Sequence, residues 1–352
     1  MLYQYQGRGG EWARLVAEIV PDFCTAQDDP VPGREEEYSL VMGYRIHLAQ
    51  EQERNLDRAV RLQEKRVDWD RRQAASALAL AADAPLDVVH RHRIRTLGVS
   101  VFALGQILRE QGSPDCIEAY HETVGYVQRI DDTAAEASVH FNLGHAYRDL
   151  AVIRDPDAAE AAYKQALKLF HPDDAFGRSS AIHQIGVVYH ERFKEAQERS
   201  APLDTQQAHA QTAQRYYQQA LALCPSTAIT NLGPMHNQLG LLYMNVGQTE
   251  KARQHYEQAA DYYERSGNRH GAGTTRFNLG LMYREAAGRE APSARQGDLL
   301  RRARVYAQAA LSDFQSFQGR AADLEAKAQK LIELIEVIEA ALAILAGVRR
   351  VG

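Results

Sequence analysis

Four carboxamides stand at one place in a recurring pattern: Asn142, Gln184, Gln238 and Asn278 each immediately precede an apolar residue and a glycine. Seven residues further on come Asp149, Glu191, Asn245 and Glu285. A carboxamide donates and accepts at once, so a row of them can hold the N–H and C=O groups of an extended peptide with little demand on its sequence. Seven residues is close to two helical turns, so the second row shares the face of the first, and its acids favour a polar or basic segment. Catalytic chemistry finds no such pattern. There is no nucleophile elbow, phosphate-cradling glycine loop, HExxH or coupled triad, so no catalytic residue is assigned and the chain reads as a non-enzyme. Cys24, Cys116 and Cys224 lie 92 and 108 residues apart, which fits reduced thiols in a cytoplasmic protein rather than a metal cluster. His90 and His92 lack thiol or carboxylate companions, so neither a metal nor a cofactor is expected.

The elements that must position these amides are helices. With only 11 prolines and 24 glycines among 352 residues, and many Ala, Leu, Gln, Glu and Arg, the chain is expected to be helical. FNLGHAYRDL at 141–150 returns as FNLGLMYREA at 277–286, and its core recurs as LGQIL at 104–108, IGVVY at 185–189 and LGLLY at 239–243. The core glycines, Gly105, Gly144, Gly186, Gly240 and Gly280, are 39, 42, 54 and 40 residues apart. After each core comes a second signature, AEAAYKQAL at 159–167, AQRYYQQAL at 213–221, ARQHYEQAA at 252–260 and RARVYAQAA at 302–310, with an outline of the same around Tyr120. Small and large residues at i, i+4 and i+7 suit close helix packing, so the unit reads as a helix A followed by a helix B. The variable length falls between A and B, at the tips 194–212 and 285–300, while the step from each B to the next A is nearly constant. A stack in which each repeat packs only on its neighbours behaves in this way.

Leu-Gly-x-x-Tyr followed in order by Ala-x-x-x-Tyr-x-x-Ala resembles the tetratricopeptide-repeat family over residues 98–317. More narrowly it is similar to the longer-period members, as in kinesin light chain and bacterial peptide-responsive regulators. The resemblance implies an all-α, right-handed superhelical solenoid of stacked helix hairpins whose A helices line a concave groove. It also implies that the residue before each core, here Asn142, Gln184, Gln238 and Asn278, contacts a bound peptide. Departures occur at the outer repeats, where Cys116 and Thr123 flank Tyr120, Arg302 precedes Tyr306, and Ala103 replaces the amide.

Three regions follow: residues 1–97, helical with a degenerate hairpin around Gly43 and Ala59; 98–320, an array of about five repeats; and 321–352, a C-terminal capping helix. The first helix is expected to end at Pro21 and a loop to occupy 76–87. The start lacks a clear cap, which raises the alternative that the chain is the regulatory or sensing portion of a larger bacterial signalling or defence protein. The C-terminal helix, apolar on many faces through Leu324, Leu331, Ile335, Leu342 and Leu345, offers a second role as a homodimer contact. The expected partner is a protein or peptide. A net charge of −5 gives no global pull toward nucleic acid or a membrane, and the basic run HRHRIRT at 90–96 reads as the solvated face of a helix with Ile94 and Leu97 turned inward.

Overall fold

Short polar side chains fix where the helices begin. Asp132 accepts from the Ala135 N–H at 3.1 Å, Asp155 from Ala158 at 3.0 Å, Asp174 from Gly177 at 2.8 Å and Asn268 from Gly271 at 2.8 Å. Each satisfies a backbone donor that the first helical turn leaves open. The computed structural model describes residues 9–80, 84–317, 319 and 321–351. The described residues contain fourteen α-helices and no strand, only a single bridge between Cys24 and Pro30. They fall into two compact units, 1–171 and 172–352.

In unit 1, α1 (Gly9–Phe23) packs on α2 (Glu35–Glu51), and three hairpins follow: α2 with α3 (Leu56–Leu78), α4 (Val88–Gln111) with α5 (Cys116–Arg129), and α6 (Thr133–Asp149) with α7 (Pro156–Leu169). Pro21 does not end α1. It sits in the last turn, where it forfeits one bond to the carbonyl four residues back, yet the Cys24 N–H still reaches the Val20 carbonyl at 2.8 Å. The expected loop at 76–87 is also shorter, because α3 runs through Leu78 and Asp87 caps α4; residues 81–83 lie outside those described. Asp70, almost wholly buried on α3, takes hydrogen bonds from Ser39 of α2 at 3.3 Å and from Ser100 of α4, which joins three helices through one carboxylate.

Unit 2 contains α8 (Ala175–Glu198) with α9 (Leu203–Leu223), α10 (Ile229–Asn245) with α11 (Thr249–Arg265), α12 (Arg269–Gly288) with α13 (Ala294–Gln315), and α14 (Ala322–Val351) against α13 and α12. The stretch 194–212 is mostly helix and not loop. Its Ala, Gln and Glu residues are good helix formers, so α8 and α9 simply extend by extra turns and leave only 199–202 between them.

The glycine of the repeated core has a steric cause. A Cβ on Gly105, Gly144, Gly186 or Gly240 would lie 2.7, 2.5, 2.7 or 2.7 Å from the ring of Tyr120, Tyr163, Tyr217 or Tyr256 on the following B helix. Those four tyrosines are buried to 1% exposure or less, so each ring lies flat against a backbone that only glycine leaves bare. The last hairpin breaks the alignment made from sequence. Ala303, Ala307 and Ala310 occupy the buried stripe of α13, while Tyr306, one register away, is half-buried and stacks on Tyr283 with centroids 5.7 Å apart. Facing Gly280 instead are the Ala303 carbonyl and the Leu331 side chain of α14, each 3.2 Å from a Cβ placed there. Leu331, Ile332 and Ile335 are buried in the core of unit 2, and Leu331 takes the place that a tyrosine ring fills in the other hairpins.

Candidate partner-binding faces

On the A helices of unit 2, α8, α10 and α12, the three amides Gln184, Gln238 and Asn278 come one per helix, and α10 packs beside both neighbours. All three are half-buried. Polar bonds also cross the seams between these helices. Asn231 of α10 donates to Ser180 of α8 at 3.0 Å, and Asn245 of α10 meets His190 Nε2 of α8 at 3.0 Å. In the next seam the Asn237 side-chain oxygen accepts from Thr275 at 3.2 Å and from the Asn278 amide at 3.3 Å. Asn245 and Asn278 are therefore partly engaged at home: Asn245 holds His190, and one N–H of Asn278 is taken. Gln238 makes no side-chain hydrogen bond among the described residues. Glu285 is exposed and Glu191 is half-buried on the same faces.

Unit 1 carries Asn142 and Asp149 on α6. The Asn142 amide donates one N–H to the Ser138 carbonyl at 2.9 Å, which leaves its oxygen and its second N–H available. Asp149 is not the bare acid that the sequence suggests. Arg148 Nε lies 2.7 Å from it, His145 Nδ1 3.9 Å and the Arg109 guanidinium of α4 3.9 Å. The basic run at 90–96 turns Ile94 and Leu97 fully inward, while Arg91 donates to the Ile130 carbonyl at 2.9 Å and Arg95 pairs with Asp132 at 3.1 Å.

The histidines add polar contacts of their own to these faces. Burial pushes His145 down to about 4, with the Arg148 and Arg109 charges acting in the same direction, so the ring is neutral and shares a 3.0 Å hydrogen bond with the Tyr163 hydroxyl. His190 is likewise pushed down to about 4 by burial and then by Lys194. With Nε2 accepting from Asn245, its Nδ1–H donates to the Tyr217 hydroxyl at 3.3 Å. His236 and His255 stack with Nδ1 atoms 2.9 Å apart, between Tyr262 on one side and Tyr243 on the other. Nothing in the spacing of these residues along the chain announces the column, because α10 and α11 each contribute alternate rings. Among the described residues no group of three or more His, Cys, Asp or Glu is placed to hold a metal ion, and no described helix is long and apolar enough to cross a membrane.

Successive helix hairpins, four of them closed by a tyrosine ring on a core glycine, with polar A-helix faces, define a helical-repeat protein. Family profiles described as tetratricopeptide repeat match residues 137–170 in unit 1 and 231–297 in unit 2. The chain is also similar to the Photosystem I assembly protein Ycf3 of Synechococcus elongatus, with 32% identity over 122 residues, 33% of this chain and 61% of that protein. It thus spans about three-fifths of the length of the curated relatives it matches. Among solved structures, aspartyl phosphate phosphatase F from Bacillus subtilis is similar in fold, with a TM-score of 0.51, 13% identity, and coverage of 98% of this chain and 84% of that one.

Proposed function

We propose that the chain is a protein-interaction scaffold that holds a peptide segment of a partner against the A helices. The observation that carries this reading is Gln238. It is a half-buried amide in the middle of the unit 2 row, on a helix flanked by those of Gln184 and Asn278, and its side chain makes no hydrogen bond among the described residues. Its donors and acceptor are set to pair with a peptide backbone. The free oxygen of Asn142 serves the same purpose in unit 1. The mechanism is recognition by a preformed surface rather than catalysis. A tetratricopeptide relative whose name is that of an assembly protein supports an interaction role. Three free, buried cysteines support a reducing compartment, the cytoplasm.

The test is affinity purification from the source cells with the tagged chain and with its Asn142→Ala, Gln238→Ala form, each followed by mass spectrometry. Partners enriched by the original chain are expected to fall at least about tenfold on the doubly substituted one, the loss expected when hydrogen bonds to a bound backbone go unmade. An unchanged set of partners sinks the reading. Asn278 is left intact on purpose, since its removal would also unpair Asn237.

A further inference from the structure

Between α4 and α6, within unit 1, lies an open cavity of about 220 Å³ whose walls are almost wholly apolar. Gly98, Val99 and Phe102 of α4 form one side, Ala135 and Val139 of α6 the other, and Val127 of α5 the floor. Val99 is 55% exposed, so an unpartnered aliphatic side chain stands at the opening. At the edge, Arg95 is held by Asp132, whose other oxygen caps α6 through the Ala135 N–H. The Arg95 side chain is 60% exposed, and Asp132 engages one of its donor nitrogens. A guanidinium has five N–H donors in a fork that matches a carboxylate, so most of the fork stays open beside an empty apolar cavity.

The cavity is continuous with the face already described. Along α4, Arg95, Val99, Phe102 and Arg109 recur at helical spacing; along α6, Ala135, Ser138, Asn142, His145 and Asp149 do the same. The Asn142 amide sits one turn from the cavity and is bonded to Ser138, which lines it. The charge of this strip is cationic. Arg95, Arg109 and Arg148 outnumber Asp132 and Asp149, and His145 is neutral and adds nothing to the acids.

We infer that the unit 1 groove binds an extended peptide segment that places an aliphatic or aromatic side chain in the cavity and a neighbouring carboxylate on Arg95. This rests on the peptide-binding reading and narrows it: the acidic row of the sequence predicts a basic segment, whereas the paired and outnumbered acids of unit 1 select an acidic, apolar one. Asn142 then meets the peptide backbone one turn along, so the cavity and Arg95 read two adjacent side chains while the amide reads none.

A phage-displayed library of random peptides, selected on the full chain, supplies the probe. Binding of the selected peptides is measured by fluorescence polarisation for the original chain and for Arg95→Gln, Val99→Glu and Asn142→Ala. Both groove positions are more than half exposed, so the substitutions leave the fold intact, which circular dichroism checks. The expected result is a selected motif of an apolar residue beside Asp or Glu, with affinity at least about tenfold weaker for Arg95→Gln and for Val99→Glu. Peptides that lack a carboxylate, or that lose affinity with Asn142→Ala but not with the two groove changes, overturn this inference and leave the broader reading standing. Failure to select any peptide, or affinity indifferent to all three substitutions, overturns both.

Discussion

Acidification from about pH 7 to about pH 4 is expected to remove several kcal/mol of folding stability, well before the carboxylates are all protonated. His145, His190 and His236 carry the effect. All three rings are pushed down to about 4 in the folded chain, chiefly by burial, against about 6.5 for an exposed histidine. Between those values the unfolded chain binds a proton at each site that the folded chain refuses, so stability falls as pH falls through this window and levels off below it. Each histidine accounts for about 3 kcal/mol at most. The buried Asp70 acts with the opposite sign: burial holds its carboxyl above the usual range, so protonation favours the folded state there. The structure also says what breaks. A proton on His190 Nε2 displaces the N–H that Asn245 offers it, and with it a bond that sews α8 to α10. Urea unfolding at a series of pH values checks this, and His190→Gln should flatten the curve by roughly a third, one of three similar contributions. Stability that is level from about pH 7 to about pH 4.5 would sink the account.

The part of the fold legible in the sequence is the part written locally. Leu-Gly-x-x-Tyr and Ala-x-x-x-Tyr-x-x-Ala announce a glycine and the ring that covers it, because both lie within one hairpin, as Gly144 and Tyr163 do. The register of α13 was not legible. Its sequence offers two stripes at the same spacing, one through Tyr306 and one through Ala303, Ala307 and Ala310, and the choice is made by Leu331 from the next helix. Tyrosine at the core position would compete with that leucine for the space over Gly280. The exposed register instead lets Tyr306 stack on Tyr283, with Arg302 over the Tyr283 ring at 5.7 Å.

The candidate site divides in the same way. That amides precede each core is plain from the chain, but what they touch depends on the neighbouring A helix, 40 or more residues away. Asn237 holding Asn278 and His190 holding Asn245 are contacts across 41 and 55 residues. The apolar cavity is more hidden still. Its walls come from three helices, and Gly98, Ala135 and Thr123 look unremarkable until the gap that their small side chains leave is seen. Charge misleads most easily: Asp149 belongs to an acidic row by spacing, yet two arginines lie on it.

The repeated glycine makes a prediction whose sign differs from that of an ordinary helix glycine. Gly144 and Gly125 both lie inside helices, α6 and α5. At Gly125 nothing lies within 4 Å of an added Cβ, so Gly125→Ala is expected to stabilise the chain by up to about 1 kcal/mol through helix propensity alone. At Gly144 the same methyl would lie 2.5 and 2.6 Å from two carbons of the Tyr163 ring, which is fully buried and anchored through its hydroxyl to His145. The ring cannot swing away without opening the core, and overpacking of this kind costs about 3 kcal/mol. After the gain from helix propensity, Gly144→Ala should destabilise by about 2 kcal/mol. The pair is measured by urea unfolding. A double-substituted chain separates causes: with Tyr163→Leu in place the flat ring is gone, so adding Gly144→Ala should then be neutral or favourable, a coupling of about 2 kcal/mol or more between the two positions. A Gly144→Ala chain as stable as Gly125→Ala would mean that the ring is not what the glycine is for, and the explanation of the repeated core would fall with it.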